Sequence, residues 1–87
     1  MRHTRNMYVV YILRSTKDGG LYIGKTNDLE RRLREHALGK TPSIRSRRPF
    51  VLLEVFPCAD ELAARALEKE MKKGYKREEI KRRHNLL

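Results

Sequence analysis

The sequence predicts an α+β domain, with a small three-stranded antiparallel sheet flanked by helices in the order β-β-α-β-α-α. Three observations lead to this prediction. The apolar runs rich in β-branched residues are short, glycine or proline punctuates them, and two later segments carry apolar residues at helical spacing. Because the 87 residues suffice for one small hydrophobic core only, residues 1–87 are expected to form a single domain.

The first two predicted strands form a hairpin. "MYVVYILR" (7–14) has apolar residues at both odd and even positions, which is typical of a central strand covered on both faces. The Asp-Gly pair at 18–19 suits a tight turn, and "LYIG" (21–24) returns antiparallel. "FVLLEVF" (50–56) is the third strand, and Pro57 is expected to end it.

The first helix is predicted over about residues 28–38. Asn27 can cap it, and Glu30 three residues later completes a capping-box pattern. Gly39 stands where a residue in the left-handed conformation would end the helix. The next segment, "KTPSIRSRRP" (40–49), is polar and ends in proline, so a loop is expected.

Two further helices are predicted after the third strand. Asp60 caps "ELAARALEKEMKK" (61–73), and Gly74 is expected to end that helix. A short basic helix over about 77–84 closes the chain. The second helix should pack on the sheet through a stripe at helical spacing, which comprises Ala63, Ala66, Leu67 and Met71.

The chain is strongly basic, with 21 Lys and Arg against 11 Asp and Glu and a net charge of +10. This excess favours nucleic acid as the partner, and a basic surface without such a partner is the alternative. The single cysteine, Cys58, excludes an internal disulfide, and His3, His36 and His84 are too scattered for a zinc site. A cytoplasmic location is expected, because "YVVYIL" is too short to span a membrane and lacks a signal-peptide cleavage site.

Arg32 and His36 lie four residues apart in the first helix, beside the stripe that Leu29 and Leu33 are expected to turn toward the core. A guanidinium and an imidazole side by side suit a phosphate group. The alternative is a pair of ordinary solvated charges, since an exposed Arg and His at this spacing are common.

Tyr11 and Tyr22 lie on adjacent paired strands, so their hydroxyls can converge at the sheet edge beside that helix. Packing alone is the alternative, because tyrosine is a favoured strand residue. Lys25 directly follows Gly24, where the second strand turns toward the helix, and its ammonium can reach a phosphate near Arg32.

Glu68 and Glu70 border the apolar stripe of the second helix on opposite sides. Either carboxylate can bind a divalent cation that also contacts a phosphate oxygen. Helical spacing does not decide between them, and ion pairs with neighbouring lysines are the alternative.

Together these residues resemble the GIY-YIG nuclease family over about residues 7–83. "VVY", ending at Tyr11, is similar to the first half of the family signature, with valines in place of glycine and isoleucine. "YIG", beginning at Tyr22, matches the second half, and ten residues separate the two tyrosines, as in the family. Arg32 lies ten residues beyond Tyr22 and His36 four beyond that, again as in the family. The chain is similar to small stand-alone bacterial members and to the N-terminal nuclease domain found in the excinuclease of DNA repair.

The second helix resembles the family segment in which an alanine, a glutamate four residues later, an apolar residue and a lysine recur. The residues that fit this frame are Ala64, Glu68, Met71 and Lys72. The resemblance therefore favours Glu68 over Glu70 as the metal ligand. Asn85 is the candidate counterpart of an asparagine that assists catalysis in some relatives.

The resemblance implies hydrolysis of DNA phosphodiester bonds with one divalent metal ion, Mg²⁺ or Mn²⁺. Tyr11 would take the proton of the attacking water, and Tyr22 would position the water or a phosphate. Arg32 would neutralise the phosphoryl oxygens. Because a free tyrosine has a pKa of about 10, Tyr11 needs positive charge nearby, which His36, Lys25 or the metal would supply.

DNA backbone contacts would fall to two basic segments. Residues 31–48 carry seven Lys or Arg against one acid, and residues 72–83 carry seven against two. The candidate DNA-binding residues are Lys40, Arg45, Arg47, Arg48, Lys72, Lys73, Lys76 and Arg77. Backbone contacts do not read bases, so the enzyme is expected to be weakly specific, selective for branched or damaged DNA in repair or processing, or guided by a protein partner.

Two other functions fit the same composition. One is a catalytically idle nucleic-acid-binding module of the same fold, against which the complete set of candidate catalytic residues argues. The other is a basic RNA-associated protein, which would need an aromatic stacking surface, whereas Phe50 and Phe56 are expected in the core. The sequence does not indicate the oligomeric state.

Overall fold

A computed structural model of the chain describes residues 7–86. Its elements are β1 (Tyr8–Ser15), β2 (Leu21–Thr26), α1 (Leu29–Ala37), a single 3₁₀ turn (Arg45–Arg47), β3 (Phe50–Cys58), α2 (Glu61–Met71) and α3 (Gly74–Arg83). The predicted α+β class and element order are confirmed. Residues 7–86 contain no helix long and apolar enough to cross a bilayer, and His3 lies outside these described residues.

The sheet has the order β2-β1-β3 with antiparallel neighbours, so β1 is central as predicted. Its register places Tyr11 opposite Gly24 and Leu13 opposite Tyr22. Side chains alternate between the faces of a strand, so both tyrosines lie on one face of the sheet. Val10 and Ile12 lie on the other face, and these two residues and Tyr11 are all buried.

The main core lies between the aliphatic face of the sheet and helices α2 and α3. It is a cluster of seven buried residues: Val10, Ile12, Leu21, Ile23, Ala64, Met71 and Ile80. The predicted stripe of α2 is right in part, because Met71 is buried and Leu67 packs against the cluster. Ala63 and Ala66 are exposed, and Ala64 takes the buried position instead, since α2 is rotated so that Ala64 faces β1 and β2.

Helix α1 lies against the tyrosine face of the sheet. Its N-cap is Asp28, whose side chain accepts a hydrogen bond from the Arg31 amide, so the predicted cap at Asn27 is wrong by one residue. Leu29 and Leu33 are only half-buried, whereas His36 is the buried residue of α1. The helix is thus joined to the sheet through an imidazole more than through its leucines.

The ends of three elements differ from the sequence expectation. Pro57 does not end β3, which continues to Cys58, because β3 is an edge strand and a proline there need not donate to a neighbour. Gly74 does not cap α2 but opens α3, which therefore starts three residues before the predicted 77. Asp60 and Gly39 are as predicted, since Asp60 caps α2 and Gly39 has φ +78° after α1.

Candidate active site

Tyr11 and His36 form a buried hydrogen-bonded pair between β1 and α1. The Tyr11 hydroxyl lies 2.8 Å from His36 Nε2. Tyr11 is 0% exposed and His36 is 2% exposed, so the contact is protected from bulk water. Tyr22 completes an aromatic group, with its ring centroid 6.2 Å from that of Tyr11 and 5.3 Å from that of His36. The two tyrosine rings and the imidazole therefore lie together on one face of the sheet.

His36 is held at both ring nitrogens. On the side away from Tyr11, its Nδ1 lies 2.9 Å from the Oγ1 of Thr41, in the loop that follows α1. The sequence does not point to Thr41, because a hydroxyl in a loop has no periodic signal that would reveal its partner. The result is a continuous chain of hydrogen bonds, Tyr11 to His36 to Thr41.

The surroundings of Tyr11 act on its ionisation in opposite directions. Burial, and then the neighbouring Tyr22, raise the pKa of Tyr11 to about 12, and the nearby Arg32 guanidinium opposes this rise. Burial, and then Arg32, lower the pKa of His36 below its usual value. At neutral pH the pair therefore consists of a protonated phenol and a neutral imidazole.

Lowering of the His36 pKa predicts a loss of stability toward acid. As pH falls below about 6.5, the unfolded chain binds a proton at this histidine that the native state resists, so the free energy of unfolding decreases. Urea unfolding between pH 7.5 and 5.5 should show this decrease, above the range where most carboxylates titrate. The slope should flatten in His36→Gln, and an unchanged slope in that variant would assign the effect to other groups.

The glycine of "YIG" makes room for Tyr11. A Cβ at Gly24 would lie 2.6 Å from the Tyr11 oxygen and 2.7 Å from Cζ, closer than real contacts allow. Tyr11 is fully buried, so its ring cannot move aside freely. Gly24 is therefore required by the close approach of the tyrosine to the β2 backbone and not by a turn.

Gly24→Ala should consequently damage both the fold and the site. Overpacking of this kind costs about 1 to 3 kcal/mol of stability, and the displaced ring should lose its bond to His36. Urea unfolding and the Tyr11 ring resonances measure the two effects. Gly74→Ala is the matched control, because no atom lies within 4 Å of a Cβ there, and it should be at least as stable as the parent.

Arg32 is partly buried and lies close to Tyr11 and Tyr22. Its Nη1 donates to Glu35 Oε1 at 3.1 Å, which holds the guanidinium over the site and leaves its remaining N–H groups for another acceptor. Arg34 is exposed, and Arg31 lies 3.8 Å from Asp28 at the helix start. Of the three arginines in α1, Arg32 is the one placed beside the tyrosines.

Lys25 and Glu68 lie on the side of the sheet that α2 covers, opposite to the face that carries Tyr11. Lys25 pairs with Val10 in the register, on the face opposite to Tyr11, and its ammonium lies 3.5 Å from Glu61. Glu68 is mostly buried and lies 3.3 Å from the Lys72 ammonium. Its connection to the tyrosine face runs through Lys72, which lines the same groove as Tyr22.

Glu70 and Asn85 have local structural roles. Glu70 accepts a hydrogen bond from the exposed Tyr75 hydroxyl at 2.7 Å and forms an ion pair with Lys73, and these two partners lower its pKa. Asn85 has φ +59° immediately after the end of α3, where a left-handed residue terminates a helix.

Some of the basic residues line one of two concave surfaces. The β2-edge groove, of about 430 Å³, contains four cations beside Tyr22: Arg47, Lys72, Arg77 and Lys81. Lys81 is not among the candidates that the sequence provides, because it looks like any other charge of a basic helix. Two of the four already have acidic neighbours, Asp18 at 3.0 Å from Arg47 and Glu68 at 3.3 Å from Lys72.

The second surface is an apolar cleft of about 600 Å³ between α1, β1 and β3. Leu13, Leu33, Leu52 and Phe50 line it, and His36 forms part of its wall. The expectation that Phe50 lies in the core is therefore wrong, because α1 leaves this part of β3 uncovered, whereas Phe56 does pack against the core. The cations around the cleft are Lys17, Arg45 and Arg48.

Several of the predicted DNA-binding cations are engaged within the protein. Arg48 donates to the carbonyl of Ala37 at 3.1 Å and to that of Arg45 at 2.9 Å, so it ties the loop to the end of α1. Lys73 and Lys76 lie beside acidic partners on the surface, at 2.9 and 3.3 Å, which are Glu70 and Glu79. Lys40 is exposed at the start of the loop.

The fold and this arrangement of residues define the class of the protein. The chain belongs to the GIY-YIG catalytic domain family, which matches residues 7–83. This family has a nuclease-type fold, and its members are generally divalent-metal-dependent endonucleases.

Within that family the chain is similar to UPF0213 proteins. The protein of Haloquadratum walsbyi is 38% identical over 71 residues, which span 82% of this chain and 79% of that relative. The protein of Halalkalibacterium halodurans is 44% identical over 57 residues, spanning 62% of this chain and 60% of the relative. A third, from Nitratidesulfovibrio vulgaris, is 48% identical over 48 residues, so the chain matches only 43% of its length.

A solved structure agrees with this relationship. The solution NMR structure of the UPF0213 protein from Bacillus halodurans matches with a TM-score of 0.54 and 36% sequence identity, over 85% of this chain and 81% of that one. The three-stranded sheet and its flanking helices therefore agree with the fold of a solved relative.

The side chains at the site suit only a divalent cation that keeps most of its water ligands. Within residues 7–86, no group of three or more His, Cys, Asp or Glu residues is placed to hold a cation. Glu68 offers a single carboxylate beside the groove. Such a site fits Mg²⁺ or Mn²⁺, which keep most of their water ligands and share phosphate oxygens, and does not fit a cation enclosed by protein ligands.

Proposed function

We propose that this protein is a divalent-metal-dependent endonuclease that hydrolyses DNA phosphodiester bonds. It acts with weak sequence specificity or selects branched or damaged DNA, in repair or processing. The observation that carries the proposal is the buried Tyr11–His36 pair, with Arg32 close to Tyr11 and a cationic groove beside Tyr22. A DNA-binding module needs the cations of the groove, and the Tyr11–His36 pair adds to them a hydroxyl with a proton acceptor beside it.

Tyr11 is the residue proposed to accept the proton of the attacking water, and because it is 0% exposed in the free protein, the water must enter beside its hydroxyl when DNA binds. With a pKa of about 12, Tyr11 is almost entirely protonated at neutral pH. The phenolate form is therefore too scarce to serve as the base. The hydrogen bond to His36 Nε2 offers a route by which the phenolic proton can leave Tyr11. As the water proton moves to the Tyr11 oxygen, the original phenolic proton passes to Nε2, so tyrosine remains neutral and His36 becomes the imidazolium.

Arg32 stabilises the negative charge that develops on the phosphoryl oxygens. It is held in place by Glu35 and is partly shielded from water, and a preorganised donor of this kind contributes about 3 kcal/mol. Tyr22, with its ring against His36 and its edge in the groove, orients the phosphate or the water. Lys25 faces the opposite side of β2 and is paired with Glu61, so it does not contact the phosphate in this proposal.

Glu68 would hold the divalent ion, which would supply Lewis-acid stabilisation of the negative charge on the phosphate oxygens. For Glu68 to do so, its carboxylate must exchange the Lys72 ammonium for the ion. Lys72 is then free to contact the DNA backbone in the same groove. Arg47 and Arg77 in the groove, with Lys40 and Arg45 on the loop, bind the backbone without reading bases, whereas Arg48 stays with the carbonyls of Ala37 and Arg45.

A DNA-binding module without turnover is the second candidate, and one observation favours it. The Glu68 carboxylate is paired with Lys72 at 3.3 Å, which neutralises the one carboxylate offered to a metal ion beside the groove. If that ion pair persists with DNA bound, the site holds phosphate without activating it.

Cleavage assays distinguish the two candidates. Purified protein is incubated with end-labelled duplex, single-stranded and branched DNA and with supercoiled plasmid, each in Mg²⁺, in Mn²⁺ and in EDTA. The proposed function predicts cutting in the metals and none in EDTA. Binding to every DNA by mobility shift, with no cutting in either metal, would support the binding module and reject the endonuclease.

A further inference from the structure

We propose that Thr41 is a positioning residue that fixes the tautomer of His36 and thereby sets the direction in which the Tyr11 proton can move. The proposal rests on the proposed function of Tyr11 and His36 and adds a residue from outside the matching signature. The observation behind it is that both ring nitrogens of a 2% exposed imidazole have one partner each, Tyr11 and Thr41.

A neutral imidazole carries one N–H, so its two hydrogen bonds run in one of two directions. If Nδ1–H donates to Thr41 Oγ1, Nε2 has a free lone pair and accepts the Tyr11 O–H. If Nε2–H donates to the Tyr11 oxygen, that nitrogen already has its proton and cannot take another from tyrosine. Proton transfer from Tyr11 to His36 therefore needs the Nδ1–H tautomer.

Thr41 is well placed to select that tautomer. Its hydroxyl lies 2.9 Å from Nδ1, and its backbone carbonyl accepts the amide of Ile44, which is buried. Gly39, with φ +78°, turns the chain from α1 toward this position, and Arg48 ties the loop to the Ala37 carbonyl. The loop thus presents the Thr41 hydroxyl to Nδ1 from a fixed direction, and in the proposal its oxygen is the acceptor of the Nδ1–H.

Several charged and titratable groups surround His36 and can affect the pH dependence of its protonation. On the sheet they are Tyr11 and Tyr22, and on α1 they are Arg32 and Glu35. Across the apolar cleft they are Lys17, Arg45 and Arg48. None of these touches Nδ1 in the described part of the chain, where Thr41 is the hydrogen-bond partner.

The test compares the parent protein with Thr41→Val and Thr41→Ser. Long-range ¹⁵N–¹H NMR spectra at pH 7.5 report which ring nitrogen of His36 carries the proton, without any need for cleavage. The parent and Thr41→Ser should show the Nδ1–H tautomer, and Thr41→Val should shift toward Nε2–H. Thr16→Val is the control, because the Thr16 hydroxyl anchors the same loop at the Pro49 carbonyl without contacting His36.

Cleavage gives the second readout. Thr41→Val should cut DNA about tenfold more slowly at saturating substrate with unchanged DNA affinity, the size expected for one lost hydrogen bond, and Thr41→Ser should recover most of the rate. An Nε2–H tautomer in the parent, or an Nδ1–H tautomer retained in Thr41→Val, would overturn the proposal. If the parent shows the expected tautomer but no cleavage, Thr41 still orients His36 and the proposed endonuclease function is rejected.

Discussion

Tyr11→Phe should lose at least about a hundredfold in DNA cleavage while keeping its affinity for DNA, since general acid–base groups contribute about 10² to 10⁴. The variant keeps the ring that fills the space under Gly24 and removes only the hydroxyl bonded to His36. The proton of the attacking water then has no acceptor. Single-turnover cleavage at saturating protein separates this loss from any change in binding.

Stability must be measured alongside, because the substitution leaves His36 Nε2 buried without its partner. This costs about 1 to 3 kcal/mol, which urea unfolding will detect. Tyr75→Phe is the matched control, since its hydroxyl donates to Glu70 on an exposed surface and should not affect cleavage. A folded Tyr11→Phe protein that cuts at the parent rate would remove Tyr11 from the mechanism.

Glu68→Gln should abolish metal-dependent cleavage, again by at least about a hundredfold, because metal-ion stabilisation of the transition state is worth several kcal/mol. The amide keeps the size of the side chain and removes its negative charge, so the ion would lose the carboxylate ligand that the proposed function assigns to it. Binding of DNA in EDTA should be unchanged or stronger, since Lys72 loses its partner in the groove.

Glu70→Gln is the control that decides between the two carboxylates of α2. Glu70 is engaged by Tyr75 and Lys73, and these partners account for its lowered pKa without a catalytic role. Its variant should therefore cut at nearly the parent rate. Loss of activity in Glu70→Gln with full activity in Glu68→Gln would transfer the metal site to Glu70.

The tyrosines and Arg32 could be predicted because their placement follows from short-range rules. A two-strand hairpin with an Asp-Gly turn fixes which residues of β1 and β2 face the same side, and helical spacing fixes the neighbours of Arg32. The sheet, the order of its elements and the shared face of Tyr11 and Tyr22 follow from such rules.

The surroundings of His36 could not be predicted in the same way. Its position beside Arg32 suggests a surface group, but α1 docks by inserting this ring between the tyrosines and the loop. Thr41 reaches Nδ1 only because the chain turns at Gly39, and the path of a loop is set by tertiary contacts such as that of Arg48 with Ala37. Periodicity carries no information about such contacts.

The errors at element ends have a similar origin. Asn27 and Asp28 are both good capping residues, and the local pattern does not choose between them. Pro57 ends a strand only if its neighbour needs the missing N–H, and that depends on β3 being an edge. Gly74 is a natural stop for α2, but a glycine between two helices can open the second instead.

The most direct test of the account is cleavage in ¹⁸O-labelled water. End-labelled DNA is cut by the purified protein with Mg²⁺ or Mn²⁺, and the product termini are examined by mass spectrometry. Hydrolysis at the Tyr11 site predicts one ¹⁸O atom in each new terminal phosphate for the parent protein, and no product for Tyr11→Phe. Absence of products from the parent on every DNA, or equal product from Tyr11→Phe, would contradict the assignment of this site as a phosphodiester hydrolase.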